Sequence, residues 1–140
     1  MFDLTDRVSL VSGAASGMGK AIALAVAEAG SDVVLADIDE EGAQATAGEI
    51  EALGRKALPV VCDIASPEAI RAMFSQIDET FGRIDFVANI AGEAVRKKPE
   101  VIELEEVEWT WRNIVYGRFC ICQEAGRRIC LLYTSDAADE

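Results

Sequence analysis

The chain has 140 residues, of which 51% are hydrophobic and 27% charged, and its formal net charge is −12. This length and composition indicate one globular domain with a substantial core and exclude a disordered chain. Because acidic residues outnumber basic ones by 25 to 13, and the longest basic run is Arg96-Lys97-Lys98, neither nucleic acid nor an anionic membrane is expected as a partner.

The sequence shows neither a targeting nor a membrane-spanning signal. No apolar run approaches the roughly 18 residues of a membrane-spanning helix, and the start Met1-Phe2-Asp3 lacks the basic residues of a signal peptide. The cysteines, in a chain without histidine, follow neither a disulfide framework nor the spacing of zinc ligands. We therefore expect a cytoplasmic protein without a metal site. Its four cysteines should be buried thiols: Cys62, Cys120, Cys122 and Cys130.

The first half of the chain alternates short apolar runs with helical patterns. The apolar runs predict four strands, at residues 8–11, 33–36, 57–62 and 84–88. The patterns between them predict three helices, at about residues 18–30, 40–54 and 67–82. Strands joined by short connections and a helix favour right-handed crossovers and a parallel sheet covered on both faces. The predicted fold class is α/β, with a doubly wound parallel sheet.

Capping residues and apolar spacing predict how the helices begin and which faces they bury. Ser66 and Pro67 are a strong start signal for the third helix, and Asp39 can cap the second. The first helix carries apolar residues at the spacing of a buried stripe, namely Met18, Ile22, Val26 and Ala29. We expect this stripe to be the buried face of that helix.

A glycine-rich loop lies between the first strand and the first helix. Gly13 permits a tight turn, Gly17 allows the backbone to approach a pyrophosphate, and Gly19 allows the helix to contact the sheet closely. The amide groups and the positive dipole end of the helix favour an anion there. An ordinary flexible turn would explain such glycines in isolation, but their position between a strand and a helix favours dinucleotide binding.

Asp37 follows the second strand, 18 residues after Gly19. A carboxylate near this interval accepts hydrogen bonds from an adenosine ribose, although Asp37 could instead cap the loop before the second helix. Such a carboxylate would repel a 2′-phosphate by ~4 kcal/mol at a separation of ~4 Å and an effective dielectric constant of ~20. Because no basic residue stands at positions 16, 36 or 38 to offset this repulsion, NAD is predicted in preference to NADP.

These motifs together resemble those of the short-chain dehydrogenase/reductase family. Residues 12–19, Ser-Gly-Ala-Ala-Ser-Gly-Met-Gly, resemble the family's T-G-x-x-x-G-x-G loop, with Ser in place of Thr. Residues 89–92, Asn-Ile-Ala-Gly, resemble its N-N-A-G motif, with Ile at the second position. The likeness extends from residue 4 to about residue 129 and implies a Rossmann-like domain that binds NAD.

The resemblance also implies which residues line the cofactor site. Ile38 would flank the adenine, and Asp63, with Ile64 beside it, would accept a hydrogen bond from the adenine amino group. From the residues alone, Asp63 could equally be a loop residue before the third helix, and Asn89 could serve mainly to tie loops together. The full set of implied cofactor-binding residues is Gly13, Ser16, Gly17, Met18, Gly19, Asp37, Ile38, Asp63, Ile64, Asn89, Ala91 and Gly92.

The second half of the chain departs from the family pattern. The family's next helix carries an Asn three residues before Gly-x-Phe, whereas Asn113 lies four residues before Gly117. Because one residue turns a helical side chain by about 100°, Asn113 can take the catalytic position only if a local bulge restores the register. The family's Tyr-x-x-x-Lys pair is absent, since neither Tyr116 nor Tyr133 has a lysine four places later. No catalytic residue is therefore assigned.

The last residues do not follow the family pattern. Residues 130–140, Cys-Leu-Leu-Tyr-Thr-Ser-Asp-Ala-Ala-Asp-Glu, resemble the in-frame translation of a sequencing-library adapter. We expect residues 1–129 to form a partial NAD-binding domain, truncated after the fourth strand and following helix, and residues 130–140 to be a non-native tail. A fifth strand delivering Ser135 is not expected, because Arg127 and Arg128 still belong to the helix and leave no residues for a turn.

These patterns support three functional hypotheses. The first is the N-terminal, cofactor-binding part of an NAD-dependent oxidoreductase that acts on a small alcohol or carbonyl compound by hydride transfer. Under this hypothesis the chain as it stands is inactive, NAD(H) is its partner, and the parent protein is a homo-oligomer. The second is a non-catalytic dinucleotide-binding or sensor module. The third is an S-adenosylmethionine-dependent methyltransferase, against which the glycine spacing and the Asn-Ile-Ala-Gly motif argue.

Overall fold

The strands form one parallel sheet between two layers of helices. The computed structural model describes residues 2–135, and its four parallel strands are ordered β3-β2-β1-β4. This confirms the predicted α/β fold with a Rossmann-like sheet. No helix in the described part of the chain is long and apolar enough to cross a membrane. The elements are β1 (Val8–Ser12), α1 (Gly17–Glu28), β2 (Asp32–Asp37), α2 (Glu40–Ala52), β3 (Ala57–Val61), α3 (Pro67–Thr80), β4 (Phe86–Asn89), α4 (Leu104–Trp111), a π-helical segment (Arg112–Tyr116) and α5 (Gly117–Ser135).

The central strands bury side chains on both faces of the sheet. Val34 and Ala36 of β2 belong to one core cluster, which lies beneath α3 and α5. The alternate residues Val33 and Leu35 belong to a second cluster, which lies beneath α1 and α2. Because successive side chains of a strand point to opposite faces, a sheet covered on both sides requires the continuous apolar runs seen in the sequence.

The predicted strands and helices begin and end within two residues of the observed ones. The expected caps are present, since Asp39 accepts a hydrogen bond from the Gly42 amide at 3.1 Å and Ser66 from the Ala69 amide at 3.2 Å. Among the strands, the largest shift is in β4, which begins at Phe86 rather than at residue 84. Here the Asp85 carboxylate accepts a hydrogen bond from the Val8 amide at 2.9 Å. A side chain therefore takes the hydrogen bond that a backbone carbonyl of the neighbouring strand would otherwise accept.

The expected buried stripe of α1 is only partly correct, because Ile22 and Val26 pack against the second core cluster but are not the most buried residues of the helix. The buried residues are Gly19, Ala23 and Ala27, whereas Met18 is 74% exposed and Ile22 is only partly buried. The reason is the closeness of the helix to the sheet, because a Cβ on Gly19 would overlap the carbonyl oxygen of Gly13. Only small side chains fit at such a contact, so the tightest face of α1 is the one with the least apolar volume.

The close contact of α1 is testable with two glycine substitutions. Gly19→Ala should lower the free energy of unfolding by about 2–3 kcal/mol, because its methyl group must displace backbone. Gly48→Ala, in α2 where an added Cβ meets nothing within 4 Å, should raise it by about 0.5–1 kcal/mol through helix propensity. Urea denaturation measures both, and equal effects of the two substitutions would contradict the close packing.

The expectation that all four cysteines are buried is half wrong. Cys62 and Cys120 are buried, but Cys122 and Cys130 are exposed on α5. Burial raises the pKa of the Cys62 thiol to about 11, and the nearby Asp63 and Cys120 add to the shift. Cys62 and Cys120 belong to the core cluster beneath α3 and α5, whereas Cys122 and Cys130 lie outside it.

An ion-pair cluster holds α5 against α3. Arg128 donates to both carboxylate oxygens of Asp78, at 2.7 and 2.8 Å, and to Glu124 Oε2 at 3.0 Å. Its guanidinium carbon also lies 4.8 Å from the centroid of the Phe74 ring. The hydrogen bonds from Arg128 lower the pKa of the Asp78 carboxyl, because they stabilise its charged form.

This pair predicts a pH-dependent contribution to stability. The pKa of Asp78 is lower in the folded state, so its contribution is present above its unfolded pKa of about 4 and is lost as pH falls through the folded pKa. Asp78→Asn should therefore lower the free energy of unfolding by about 0.5 kcal/mol at about pH 6 and have little effect at about pH 2, since the pair is partly exposed. Glu79→Gln, next to it on α3, is the control; a pH-independent effect of Asp78→Asn would contradict the pairing.

The expected boundary after residue 129 falls inside α5. This helix runs from Gly117 to Ser135 without interruption, so residues 129–135 form no fifth strand, as expected. The helix includes Arg127 and Arg128, which is consistent with the absence of a turn before them. The rest of the proposed tail, residues 136–140, lies outside the described residues.

Candidate functional site

A cavity of about 600 Å³ lies where the carboxyl ends of the strands meet α1, α4 and the π-helical segment. It is lined by residues from the glycine loop and from the loops after β2, β3 and β4. Eleven of the twelve predicted site residues surround it; Asn89 does not. Such a crevice at the strand ends is where open parallel sheets bind ligands. The eleven residues are Gly13, Ser16, Gly17, Met18, Gly19, Asp37, Ile38, Asp63, Ile64, Ala91 and Gly92.

The glycine loop is held tightly on one side and open on the other. Gly13 has a φ of 74°, and its amide donates to the Ala36 carbonyl at 2.8 Å. A Cβ at Gly13 would lie 3.0 Å from the Ala91 nitrogen, so the loop also touches the segment after β4. At Gly17, by contrast, φ is 54° and an added Cβ would meet nothing within 4 Å. Space for a ligand therefore lies beside Gly17.

The N-terminus of α1 is left without a side-chain cap. Ser16 is the N-cap residue, but its side chain makes no capping hydrogen bond, and the first turn contains no acidic residue. The next two helices of the sheet are capped by Asp39 and Ser66. Backbone amides at an uncapped N-terminus, together with the helix dipole, attract an anion. The residues present thus fit the pyrophosphate of a dinucleotide at this point.

Asp37 lines the cavity and also holds the loops around it. Its Oδ2 accepts the Ala15 amide at 2.9 Å, and its Oδ1 accepts the Asp39 amide at 3.0 Å. Each carboxylate oxygen can accept a second hydrogen bond, so these contacts leave capacity for two hydroxyl groups. Beside it Ile38 is 70% exposed and offers an apolar surface. Both roles weighed from the sequence, the loop cap and the ligand contact, are compatible with this geometry.

Asp63 and Ile64 follow β3 and also line the cavity. Asp63 Oδ1 accepts a hydrogen bond from the Ala65 amide at 2.9 Å. This contact fits the alternative that Asp63 is a loop residue before the third helix. The residue is nevertheless exposed and lines the cavity, so its carboxylate can also reach a ligand. Ile64 is only 5% exposed and contributes mainly to the core below.

Asn89 ties the loop after β4 to its surroundings. Its Oδ1 accepts from the Ser12 hydroxyl at 3.1 Å, and its Nδ2 donates to the Arg118 carbonyl at 3.0 Å. The same Ser12 oxygen accepts the amides of Ile90 and Ala91, at 3.0 and 3.1 Å. Asn89 therefore lies behind the cavity wall. Its hydrogen bonds match the interpretation that it ties loops together better than the interpretation that it contacts a cofactor.

Asn113 reaches the cavity because the helix is locally widened. The segment Arg112–Tyr116 is π-helical, so it accommodates one residue more than an α-helical turn. This is the bulge that the four-residue spacing to Gly117 requires. The Asn113 side chain is buried, donates to the Trp109 carbonyl at 3.0 Å, and lines the cavity together with Trp109.

The cavity includes residues that no sequence pattern indicated. Cys62, Ala65 and Ile90 are neighbours in sequence of predicted residues and could have been found from that adjacency. Glu93 follows Gly92 and could have been found in the same way, whereas Trp109 has no such signal, because α4 carries no recognisable motif. Within the described part of the chain, no group of His, Cys, Asp or Glu residues has the arrangement of a metal site.

The uncapped N-terminus of α1 predicts that a capping substitution there stabilises the fold and weakens anion binding. Ser16→Asp should raise the free energy of unfolding by about 0.5 kcal/mol, because an Asp at the N-cap satisfies backbone amides. The same carboxylate should abolish the increase in melting temperature that inorganic pyrophosphate gives the unchanged chain. Ser66→Asp is the control, since that N-terminus is already capped. An unchanged response of Ser16→Asp to pyrophosphate would rule out anion binding at α1.

Comparison with known proteins places the chain beside a group of oxidoreductases. A family profile described as "Enoyl-(Acyl carrier protein) reductase" matches residues 13–135. One curated relative is the (2S)-[(R)-hydroxy(phenyl)methyl]succinyl-CoA dehydrogenase subunit BbsD of Thauera aromatica, 42% identical over 106 residues, 76% of this chain and 42% of that protein. Another is the NAD-dependent glycerol dehydrogenase of Listeria innocua, 38% identical over 128 residues, 91% of this chain and 49% of that protein. The chain spans about half the length of the curated relatives it matches.

A solved structure agrees with these matches. The crystal structure of a short-chain type dehydrogenase/reductase from Mycobacterium marinum has a TM-score of 0.87 and 37% sequence identity. The superposition covers 91% of this chain and 51% of that one. The likeness therefore includes the sheet, the helices and the loops around the cavity, and concerns one half of the larger protein.

Proposed function

The chain belongs to the short-chain dehydrogenase/reductase family, and from that premise we propose that it is the cofactor-binding part of an NAD-dependent oxidoreductase. The observation that carries the proposal is the single cavity shared by the glycine loop, the uncapped N-terminus of α1 and Asp37. A pyrophosphate and an adenosine ribose are the two ligand groups that these features suit. The substrate of the parent protein would be a small alcohol or carbonyl compound.

The residues around the cavity would hold the cofactor in a defined order. The amides of the glycine loop would bind the pyrophosphate, and Asp37 would accept the ribose hydroxyls. Ile38 would flank the adenine, with Asp63 accepting from its amino group. The cofactor, when bound, supplies the chemistry of hydride transfer, while the protein provides orientation. Ala91 and Gly92 would form the wall nearest the reacting end.

The proton relay of the parent enzyme is only partly represented in this chain. Asn113 lines the cavity beside the π-helical segment, and we propose that this segment gives it the register of the family's catalytic asparagine. The Tyr-x-x-x-Lys pair does not occur in the sequence. A tyrosine with an ordinary pKa of about 10 needs a neighbouring cation to act as a proton donor and acceptor near neutral pH. We therefore propose that the chain binds the cofactor but does not turn over substrate by itself.

A non-catalytic dinucleotide-binding module is the alternative, and the missing Tyr-x-x-x-Lys pair favours it. The two functions differ in the sequence that the encoding gene carries downstream of the cavity residues. Sequencing the locus past codon 129 distinguishes them: a downstream Tyr-x-x-x-Lys supports the oxidoreductase, and a native continuation without it supports the binding module. A native gene that encodes residues 130–140 as they stand would contradict the adapter interpretation.

The cellular setting is also a proposal. Cys62, Cys120 and Cys122 are free thiols, which fits the reducing cytoplasm better than an oxidising compartment. Exposed aromatic side chains on α4 and the π-helical segment, including Trp111 and Tyr116, fit a parent protein that is a homo-oligomer. Size-exclusion chromatography of the parent protein tests the second point, and a monomer would contradict it.

The negative charge of Asp37 predicts a difference in affinity between NADH and NADPH. The chain should bind NADPH at least about 100-fold more weakly than NADH, because Asp37 repels the 2′-phosphate. Asp37→Asn should narrow this ratio, since it removes the charge and keeps an oxygen acceptor for the Ala15 amide. Asp39→Asn, a neighbouring charge change outside the cavity at a position where Asn also caps well, should leave the ratio unchanged.

Calorimetric titration with NADH, NADPH and S-adenosylmethionine measures these affinities. Equal affinity for NADH and NADPH would overturn the preference for NAD. Failure to bind either nicotinamide cofactor would overturn the proposed function. Binding of S-adenosylmethionine in their place would instead support the methyltransferase hypothesis.

A further inference from the structure

The loop after β4 is held at its carbonyl groups by a single side chain. Arg118 Nε donates to the Ala91 carbonyl at 3.0 Å, and Arg118 Nη2 donates to the Ile90 carbonyl at 3.2 Å. We propose that Arg118 is a positioning residue that fixes this loop against the cofactor cavity. The inference rests on the proposed function, because the loop matters only if Ala91 and Gly92 contact a ligand.

The amide side of the same loop is held by the sheet. Ser12 Oγ, on β1, accepts the amides of Ile90 and Ala91 at 3.0 and 3.1 Å. Ser12 is fully buried, so this half of the loop is fixed by the most rigid part of the fold. The carbonyl half faces α5 instead. The orientation of these peptide groups therefore depends on one contact to the sheet and one contact to Arg118.

Arg118 engages the loop with its backbone as well as its side chain. The Asn89 amide group donates to the Arg118 carbonyl at 3.0 Å. At Gly92, where φ is 149°, an added Cβ would lie 3.0 Å from Arg118 Nη2, so the guanidinium runs along the whole loop. The contact of Arg118 with the loop thus extends from Asn89, at the end of β4, to Gly92, the last residue of the Asn-Ile-Ala-Gly motif.

The neighbouring residue fixes the position of Arg118 in space. A Cβ on Gly117 would overlap the Ile64 carbonyl oxygen, so the start of α5 packs directly on the loop after β3. Arg118 is the next residue along, and it reaches the loop after β4. The first turn of α5 therefore joins two of the loops that line the cavity, with Arg118 as the polar half of that contact.

The chemistry of the guanidinium explains why an arginine suits this position. Its planar fork presents Nε and Nη2 in a fixed geometry, which matches two adjacent carbonyl groups. A lysine keeps the charge but supplies one flexible donor group and cannot reproduce the paired geometry. A methionine keeps much of the length and none of the donors. These two variants separate the effect of charge from the effect of the fork.

The test combines amide hydrogen exchange with NADH titration of the 140-residue chain. In Arg118→Met, exchange at the Ile90 and Ala91 amides should rise about tenfold while exchange in β1 and β2 stays unchanged, and the Kd for NADH should rise about tenfold. Arg118→Lys should fall between the unchanged chain and Arg118→Met. Arg127→Met, which removes an exposed arginine of the same helix that pairs with Glu124, is the matched control and should move neither measurement.

Each outcome has a definite meaning. Faster exchange throughout the sheet in Arg118→Met would show a general stabilising role and would overturn the positioning role. Exchange at the Ile90 and Ala91 amides that is no faster than in Arg127→Met would also overturn it. Full retention of NADH affinity in Arg118→Met would also overturn it. If the unchanged chain binds no NADH, the proposed function fails, and the exchange measurement still decides whether Arg118 holds the loop.

Discussion

The backbone of Gly13 is the point on which the rest of the site depends. Its amide donates to the Ala36 carbonyl of β2, its carbonyl touches α1 at Gly19, and its Cα faces the Ala91 nitrogen. Two elements and one loop thus meet around a residue that has no side chain. Any Cβ at Gly13 or Gly19 would push α1 away from the sheet or the loop after β4 away from the cavity. The depth of the cavity is therefore set by backbone contact, which is the closest approach that a protein chain allows.

Polar side chains around the cavity combine two tasks. Asp37 accepts one amide of the glycine loop and one of its own loop, and Asp63 accepts an amide of its own loop, while both face the cavity. Asn89 links β1 to α5 from behind it. A carboxylate held in this way loses little side-chain entropy when a ligand arrives, because its rotamer is already chosen. Ser16 does the reverse, since it occupies a capping position without capping. The uncapped amides are a local cost in stability at the place where an anion would satisfy them.

Local patterns predicted most of the sheet, because its strands are continuous apolar runs and its helices carry ordinary caps such as Asp39 and Ser66. They failed where a contact between distant residues decides the outcome. The buried face of α1 follows from the overlap between Gly19 and Gly13, which outweighs the apolar spacing of Met18 and its companions. Arg118 was missed for the same reason, since its partners are 27 and 28 positions away along the chain.

The residues proposed to hold a cofactor and the asparagine proposed for the proton relay lie in different parts of this fold. The contacts suited to a dinucleotide come from the carboxyl ends of four parallel strands, all of which lie before residue 93. The helices after them add Asn113 and Arg118, and both depend on an adjustment at the start of α5: the π-helical segment for the first, and the contact of Gly117 with Ile64 for the second. That junction joins the sheet with its cavity loops to the helices that follow it. A change of one residue there rotates Asn113 by about 100° and moves it off the cavity while leaving the sheet intact.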